Sequence, residues 1–159
     1  MQTIKLSEAN ARSMYPTASK EIKQLLEDSF GKEFFTAKIR DLVNGFDDIL
    51  RLSGKTMNDI AKPGDTDDEI AYKQIKLIAE VYNNGRTLDA GNTNQWKYYP
   101  WHEVVKDASK PSGFGLAYYG YGVWFSYSNV SVRLCFVDKD DAIDAGKKFI
   151  DIYEKLKIR

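Results

Sequence analysis

One histidine and one cysteine set the limits of nucleophilic and acid–base chemistry in this 159-residue chain. His102 lies in an aromatic stretch, "NQWKYYPWHEV", at residues 94–104. Cys135 lies in an apolar run, "RLCFV". A nucleophile–His pair needs the two side chains within hydrogen-bond reach, which adjacent strands can provide. The competing reading is an ordinary strand histidine and a buried, inert thiol, since a reactive cysteine needs exposure and a lowered pKa. A structural zinc site of the usual kind is excluded, because it draws four ligands mainly from Cys and His. Glu103 and Asp107 follow the aromatic stretch and offer the paired carboxylates of glycoside hydrolysis. Acids beside aromatics are too common for that pairing to carry an assignment.

Three further motifs lack parts that their chemistry requires. "SGKT" at Ser53–Thr56 resembles the end of a phosphate-binding loop, but Ile49 stands where the first glycine belongs, and a helical pattern precedes it. Gly54 is therefore read as a helix stop. "GFGLAY" has Tyr118 in place of the third glycine of a dinucleotide fingerprint, with no helix pattern after it. "DTDDE" and "DKDDA" have neither the central glycine nor the distal glutamate of a calcium loop, and are read as solvated helix N-termini. No cofactor and no metal are expected.

Charge and hydropathy narrow the partners. Lys plus Arg and Asp plus Glu number 23 each, for a formal net charge of zero. Residues 1–90 carry 13 basic and 15 acidic groups, net −2; residues 91–159 carry 10 and 8, net +2. There is no global field to draw nucleic acid or an anionic membrane. A local patch of Lys97, Lys106, Lys110 and Arg133 keeps nucleic acid open as an alternative partner. No run of 18 apolar residues offers a transmembrane helix, and "MQTIKLSEANARSMYP" has no signal-peptide core. A cytoplasmic protein is expected. Asn129-Val130-Ser131 matches a glycosylation acceptor and is set aside as chance.

The elements that must position these residues fall into two parts of one expected domain. Residues 1–86 read as mainly helical. Ser7 caps a short helix ending near Tyr15, before Pro16. Ser19 starts a second, with Ile22, Leu25, Leu26 and Phe30 as its apolar stripe and Gly31 as its stop. Phe34 and Phe35 anchor the turn that follows. Ile39, Leu42, Val43, Phe46, Ile49, Leu50 and Leu52 belong to one or two short helices, interrupted at Gly45 and ended by Gly54. Asp65 or Thr66 caps the strongest helix, whose stripe is Ala71, Ile75, Ile78 and Tyr82, flanked by Leu77 and Val81, and "NNG" ends it. Residues 87–159 read as short strands and a closing helix. The strands are expected at Gln95–Val105, Phe114–Tyr119, Val123–Tyr127 and Ser131–Val137, with a hairpin or irregular loop at glycines 120 and 122. Asp138 caps a helix from about Lys139 to Lys157 with Ala142, Ala145 or Gly146, Phe149, Tyr153 and Leu156 buried. Gly146 costs about 1 kcal/mol against alanine there, which a close approach to the sheet would justify. The fold class is α+β: a helical N-terminal portion with a small, mostly antiparallel sheet covered by the C-terminal helix.

Eleven of the 21 aromatic residues lie between Trp96 and Tyr127, including all three tryptophans. As a strand, Gln95–Val105 places Trp96, Tyr98, Pro100 and His102 on one face and Lys97, Tyr99, Trp101 and Glu103 on the other. Aromatics on both faces do not fit beneath one helix layer. One reading is an aromatic core between sheet and helices. The other is an exposed platform built from Trp96, Tyr98, Tyr99, Trp101, Tyr119 and Trp124. Such a platform can bind a protein, a sugar or a base. Residues 112–132 carry no charge, which disfavours phosphate backbones and favours a protein partner or self-association. Pro100 marks its strand as an edge, where another chain can pair.

"KYYPWHEV" at 97–104, "GFGLAYY" at 113–119 and "SVRLCFVDKDDAIDAGKKFIDIYEKL" at 131–156 resemble a group of uncharacterised phage and prophage proteins of Bacteroidetes. That group typically reads KYYPWF, a GFGF-like segment, SRLCF and an AGKQF-like helix centre. "TASKEIKQLLEDSFGKEFF" at 17–35 is similar to its opening helix. The departures are His102 in place of phenylalanine and "SVRLCF" in place of "GSRLCF"; the first argues against catalysis by His102. The resemblance implies a mobile-element origin and no particular chemistry. The functional expectation is a non-enzymatic protein acting by protein–protein contact. Nucleic-acid binding is the first alternative, and carbohydrate binding or hydrolysis through the aromatic cluster is the second.

Overall fold

The computed structural model of the chain describes residues 6–126 and 130–158. It is an α+β arrangement of helices around a two-stranded antiparallel sheet. The N-terminal helices begin where capping residues satisfy free backbone N–H groups. Ser7 accepts from Asn10 N to open α1 (Glu8–Met14), and Ser19 accepts from Ile22 N to open α2 (Lys20–Phe30). Pro16 ends the first, leaving a short 3₁₀ turn at Tyr15–Thr17. The α2 stripe is buried only in part. Leu26 is buried, but Ile22 and Leu25 are exposed, Leu25 at 60%. No neighbouring element among the described residues covers that side.

Phe34 and Phe35 lie on a short helix, α3 (Lys32–Thr36), and join Phe30 and Tyr15 in one aromatic cluster. Gly45 separates α4 (Ile39–Leu42) from α5 (Phe46–Ser53), and Gly54 stops α5 in the left-handed region at φ 69°. A further helix, α6 (Met57–Ile60), opens on a capping box between Thr56 and Asp59. The long helix α7 (Asp67–Asn83) opens on another, between Thr66 and Glu69. Its buried residues Ala71, Ile75, Leu77, Ile78, Val81 and Tyr82 meet α4, α5 and α6 on one side and the C-terminal helices on the other.

The sheet consists of β1 (Lys97–Lys106) and β2 (Phe114–Trp124). The turn is 107–113, where Gly113 N bonds Lys110 O and Asp107 N bonds Gly113 O. This corrects two expectations. Residues 114–124 form one continuous strand, so glycines 120 and 122 lie inside it and not between two strands. Gly122 is needed because the Tyr99 ring lies where its Cβ would be. Pairing shifts by one residue between Trp101 and His102, so Tyr119 is the extra residue of a bulge. The remainder of the expected strand at Val123–Tyr127 ends at Trp124; Tyr127, like Asn129 of the glycosylation motif, lies outside the described residues.

Ser131–Val137 is not a strand. It forms a 3₁₀ turn at Val132–Leu134 and then one bridge, in which Tyr98 and Phe136 exchange both backbone hydrogen bonds. The reason is partly local and partly distant in sequence. Ser131 caps the turn by accepting from Arg133 N, and Asn83 at the end of α7 then holds the segment. Asn83 Nδ2 donates to Cys135 O at 3.0 Å, and Asn83 Oδ1 accepts from Val137 N at 2.8 Å. These bonds replace the ladder that an extended strand would have formed.

The C-terminal helix is broken into α8 (Lys139–Lys148) and α9 (Ile150–Lys157) at Phe149, whose ψ is 26°. α8 lies on the sheet. A Cβ built on Gly146 would come 2.6 Å from Pro100 Cβ and 3.0 Å from Tyr118 Cε2. The close approach expected of this glycine is therefore present. Ion pairs fix α8 to the helical portion: Asp141 meets Arg40 at 2.8 Å and Arg86 at 3.3 Å, and Tyr82 donates to Asp144 at 2.6 Å.

Candidate functional site

Of the residues that the sequence singled out, β1 carries Tyr98, Tyr99, Trp101, His102 and Glu103, while Tyr119 and Trp124 lie on β2. One edge pairs with β2. The other is bridged at Tyr98 by Phe136, after which the chain turns away through Val132–Leu134. Beyond the bridge, side chains of α9 face β1 across a cleft of about 300 Å³. Tyr99, Pro100, Trp101 and His102 form one wall; Leu134, Tyr153, Leu156 and Lys157 form the other. The edge position expected from Pro100 is thus seen.

His102 is buried and both of its nitrogens have partners. Nε2 lies 2.9 Å from the carbonyl oxygen of Gly146. A carbonyl only accepts, so Nε2 carries the hydrogen. That carbonyl belongs to the last turn of α8, where intrahelical donors run out, and the imidazole serves as its cap. Nδ1 is left with a lone pair and accepts from Lys157 Nζ at 3.1 Å. Burial, aided by the charge of Lys157, holds the His102 pKa below its ordinary value, although the Gly146 bond opposes this. The ring also lies against Tyr153, with centroids 4.8 Å apart.

These contacts decide the chemistry first considered for His102. Cys135 is buried, its thiol donates to Ser131 O at 3.3 Å, and burial pushes its pKa up to about 11. No Cys–His pair forms, and the thiol is not activated. Glu103 is exposed, and Asp107 is spent on the hairpin turn, accepting from Ser109 N and Oγ. Neither carboxylate lines the cleft. Among the described residues no group of three or more His, Cys, Asp or Glu side chains could hold a metal ion.

The six aromatics proposed as a platform do not form one surface. Trp124 is core, at 5% exposure, with the Lys97 ammonium 4.9 Å from its ring centre. Tyr98 is half-buried against the core, and half-buried Tyr99 lines the cleft. Trp96, 52% exposed, packs edge-on against Phe125. Trp101 and Tyr119, 56% and 71% exposed, meet at 66° with centroids 6.1 Å apart. The bulge makes this second pair, because it turns Tyr119 out of the ladder beside Trp101. Trp101 lies five positions after Trp96, roughly 16 Å along an extended chain.

Sequence reasoning missed Lys157. The available signal was its spacing: it stands four residues after Tyr153, on the same helix face, and next to Leu156. It also counted Lys97 in a basic patch with Lys106, Lys110 and Arg133. Lys97 is fully buried and donates to Asn92 O, and Lys110 pairs with Glu154 at 2.8 Å. Among the described residues, no helix is long and apolar enough to cross a membrane. No protein-family model, curated protein or solved structure matches the chain.

Proposed function

We propose that the protein is a phage- or prophage-encoded interaction module of the host cytoplasm, which docks a protein partner through Trp101 and Tyr119. The observation that carries this reading is their joint exposure, 56% and 71%, side by side at the bulge of the hairpin. Exposed Trp and Tyr side by side are the residue types that dominate protein–protein binding energy. Their rings cross at 66°, a wedge suited to a pocket in a partner and unlike the flat platform that stacks on a sugar ring. Within the patch of Lys97, Lys106, Lys110 and Arg133, burial of Lys97 and pairing of Lys110 leave two cations for a phosphate backbone, which weighs against nucleic acid. The resemblance to prophage proteins supports the origin.

A photo-crosslinking amino acid in place of Tyr119 tests it, in cells that carry the prophage. The expected result is a discrete crosslinked product that disappears with Trp101→Ala. It should not form when the crosslinker replaces exposed Lys76 on α7. A product indifferent to Trp101→Ala, or no product at 119, would overturn the reading.

A further inference from the structure

The cleft beside Trp101 contains a cation without a counter-charge. Lys157 is exposed as a residue, but its ammonium turns inward, bonded to His102 Nδ1 and 5.5 Å from the centre of the Tyr153 ring. Among the described residues no carboxylate comes within 4.0 Å of Lys157. Glu154, one turn earlier on α9, pairs with Lys110 instead. His102 cannot supply the missing charge. Its hydrogen is committed to Gly146 O, and its lone pair already accepts from the lysine. Burial alone, with no acid acting against it, depresses the Lys157 pKa. An ammonium in this position gains from any anion that enters the cleft, because a charge-assisted bond is about twice as strong as a neutral one.

The rest of the cleft selects what the anion is attached to. Tyr99, Trp101, Pro100, Leu134 and Leu156 give it flat, apolar walls. Its volume of about 300 Å³ is at the small end of ligand sites. One cation facing apolar walls matches one negative charge on a planar apolar body; a phosphate dianion would need more donors than the walls offer. We propose that this cleft binds a small aromatic monocarboxylate, with the carboxylate on Lys157 Nζ and the ring against Trp101 and Tyr99. The cleft shares Trp101 with the proposed docking pair but Lys157 belongs to the cleft alone, so Lys157→Met tests this assignment separately.

Titration of the whole protein with 2-naphthoate, and with the neutral 2-naphthamide, tests it by calorimetry and by the Trp101 indole N–H resonance. The acid should bind about tenfold more tightly than the amide, the worth of one charged hydrogen bond. Lys157→Met should remove that preference, and Lys157→Arg should keep it. Trp101→Ala should weaken both ligands. Equal binding of acid and amide, or no movement of the Trp101 resonance at millimolar acid, would overturn the proposal. So would a preference that survives Lys157→Met. Should Lys157→Met not fold, the acid–amide comparison on the natural protein still decides.

Discussion

Gly146→Ala separates two opposing terms that the structure allows to be weighed. At an open helical position the change gains about 1 kcal/mol, because alanine loses less backbone freedom on folding. Here the added methyl would meet Pro100 Cβ at 2.6 Å. Ordinary carbon–carbon contact needs about 3.5–4.0 Å, so helix and strand must part by about 1 Å. Neither side gives easily. Pro100 is a rigid ring paired with Tyr121 in the ladder, and α8 is held by the Asp138 cap and the Asp141 ion pairs. Overpacking of this kind costs about 1–3 kcal/mol. A 1 Å displacement also stretches the 2.9 Å contact between His102 Nε2 and Gly146 O beyond hydrogen-bonding range. That adds about 1 kcal/mol.

The net expectation is destabilisation by about 2 kcal/mol, measured by urea denaturation at pH 7.5. A double-mutant cycle with His102→Phe should show coupling of at least about 0.5 kcal/mol, since both changes act on the same contact. If Gly146→Ala raises stability by about 1 kcal/mol, helix propensity has won and the close approach does not govern this site. If it destabilises with no coupling to His102, the clash is real but does not reach the imidazole.

Two further outcomes follow from the same contacts. Because His102 has a lowered folded-state pKa, the unfolded chain binds more protons below its ordinary value of about 6.5, so stability should fall as pH drops from 7 to 5.5. The slope is at most about 1.4 kcal/mol per pH unit, and His102→Phe should flatten it; an unchanged slope in thermal melts would refute the assignment, as this is the only histidine. Asn83→Ala should cost about 2–4 kcal/mol in chemical denaturation, because it strands the Cys135 carbonyl and the Val137 N–H in the interior; a loss below about 1 kcal/mol would mean that the Val132–Phe136 segment is held by other contacts.

The helices were largely legible because their signals are local. Ser7, Ser19 and Asp138 cap where their side chains reach free N–H groups, and Gly54 stops a helix where a left-handed residue is required. The stripe of α7 was legible for the same reason: its 3.6-residue period is written into the chain. The sheet was not, because its geometry depends on partners distant in sequence. Val132, Leu134 and Phe136 alternate as a strand would, yet Asn83, 52 residues before Cys135, captures the backbone and a 3₁₀ turn results. Gly122 looked like a loop residue because the ring that requires it, Tyr99, sits on the opposite strand. At the candidate site the aromatics were visible, but the sorting of Trp101 and Tyr119 from Trp124 depends on a bulge that no local pattern announces. Lys157 was hidden by its type, since lysine near a helix C-terminus is ordinarily explained by the dipole.

The cleft is a consequence of how α8 ends. Gly146 lets the helix approach Pro100, and the helix breaks three residues later at Phe149. The break leaves the Gly146 carbonyl in a terminal turn, within reach of a donor on the sheet. His102 supplies that donor through Nε2 and thereby turns its lone pair toward α9. α9, redirected by the same break, carries Lys157 to that lone pair. A phenylalanine at 102 would fill the space, but it would neither cap α8 nor accept from the lysine. The histidine that seemed to promise catalysis is thus better understood as the residue that couples the helix end to the cleft. Its replacement by phenylalanine should release the Lys157 ammonium to solvent and weaken the acid-over-amide preference without altering the exposed Trp101–Tyr119 pair.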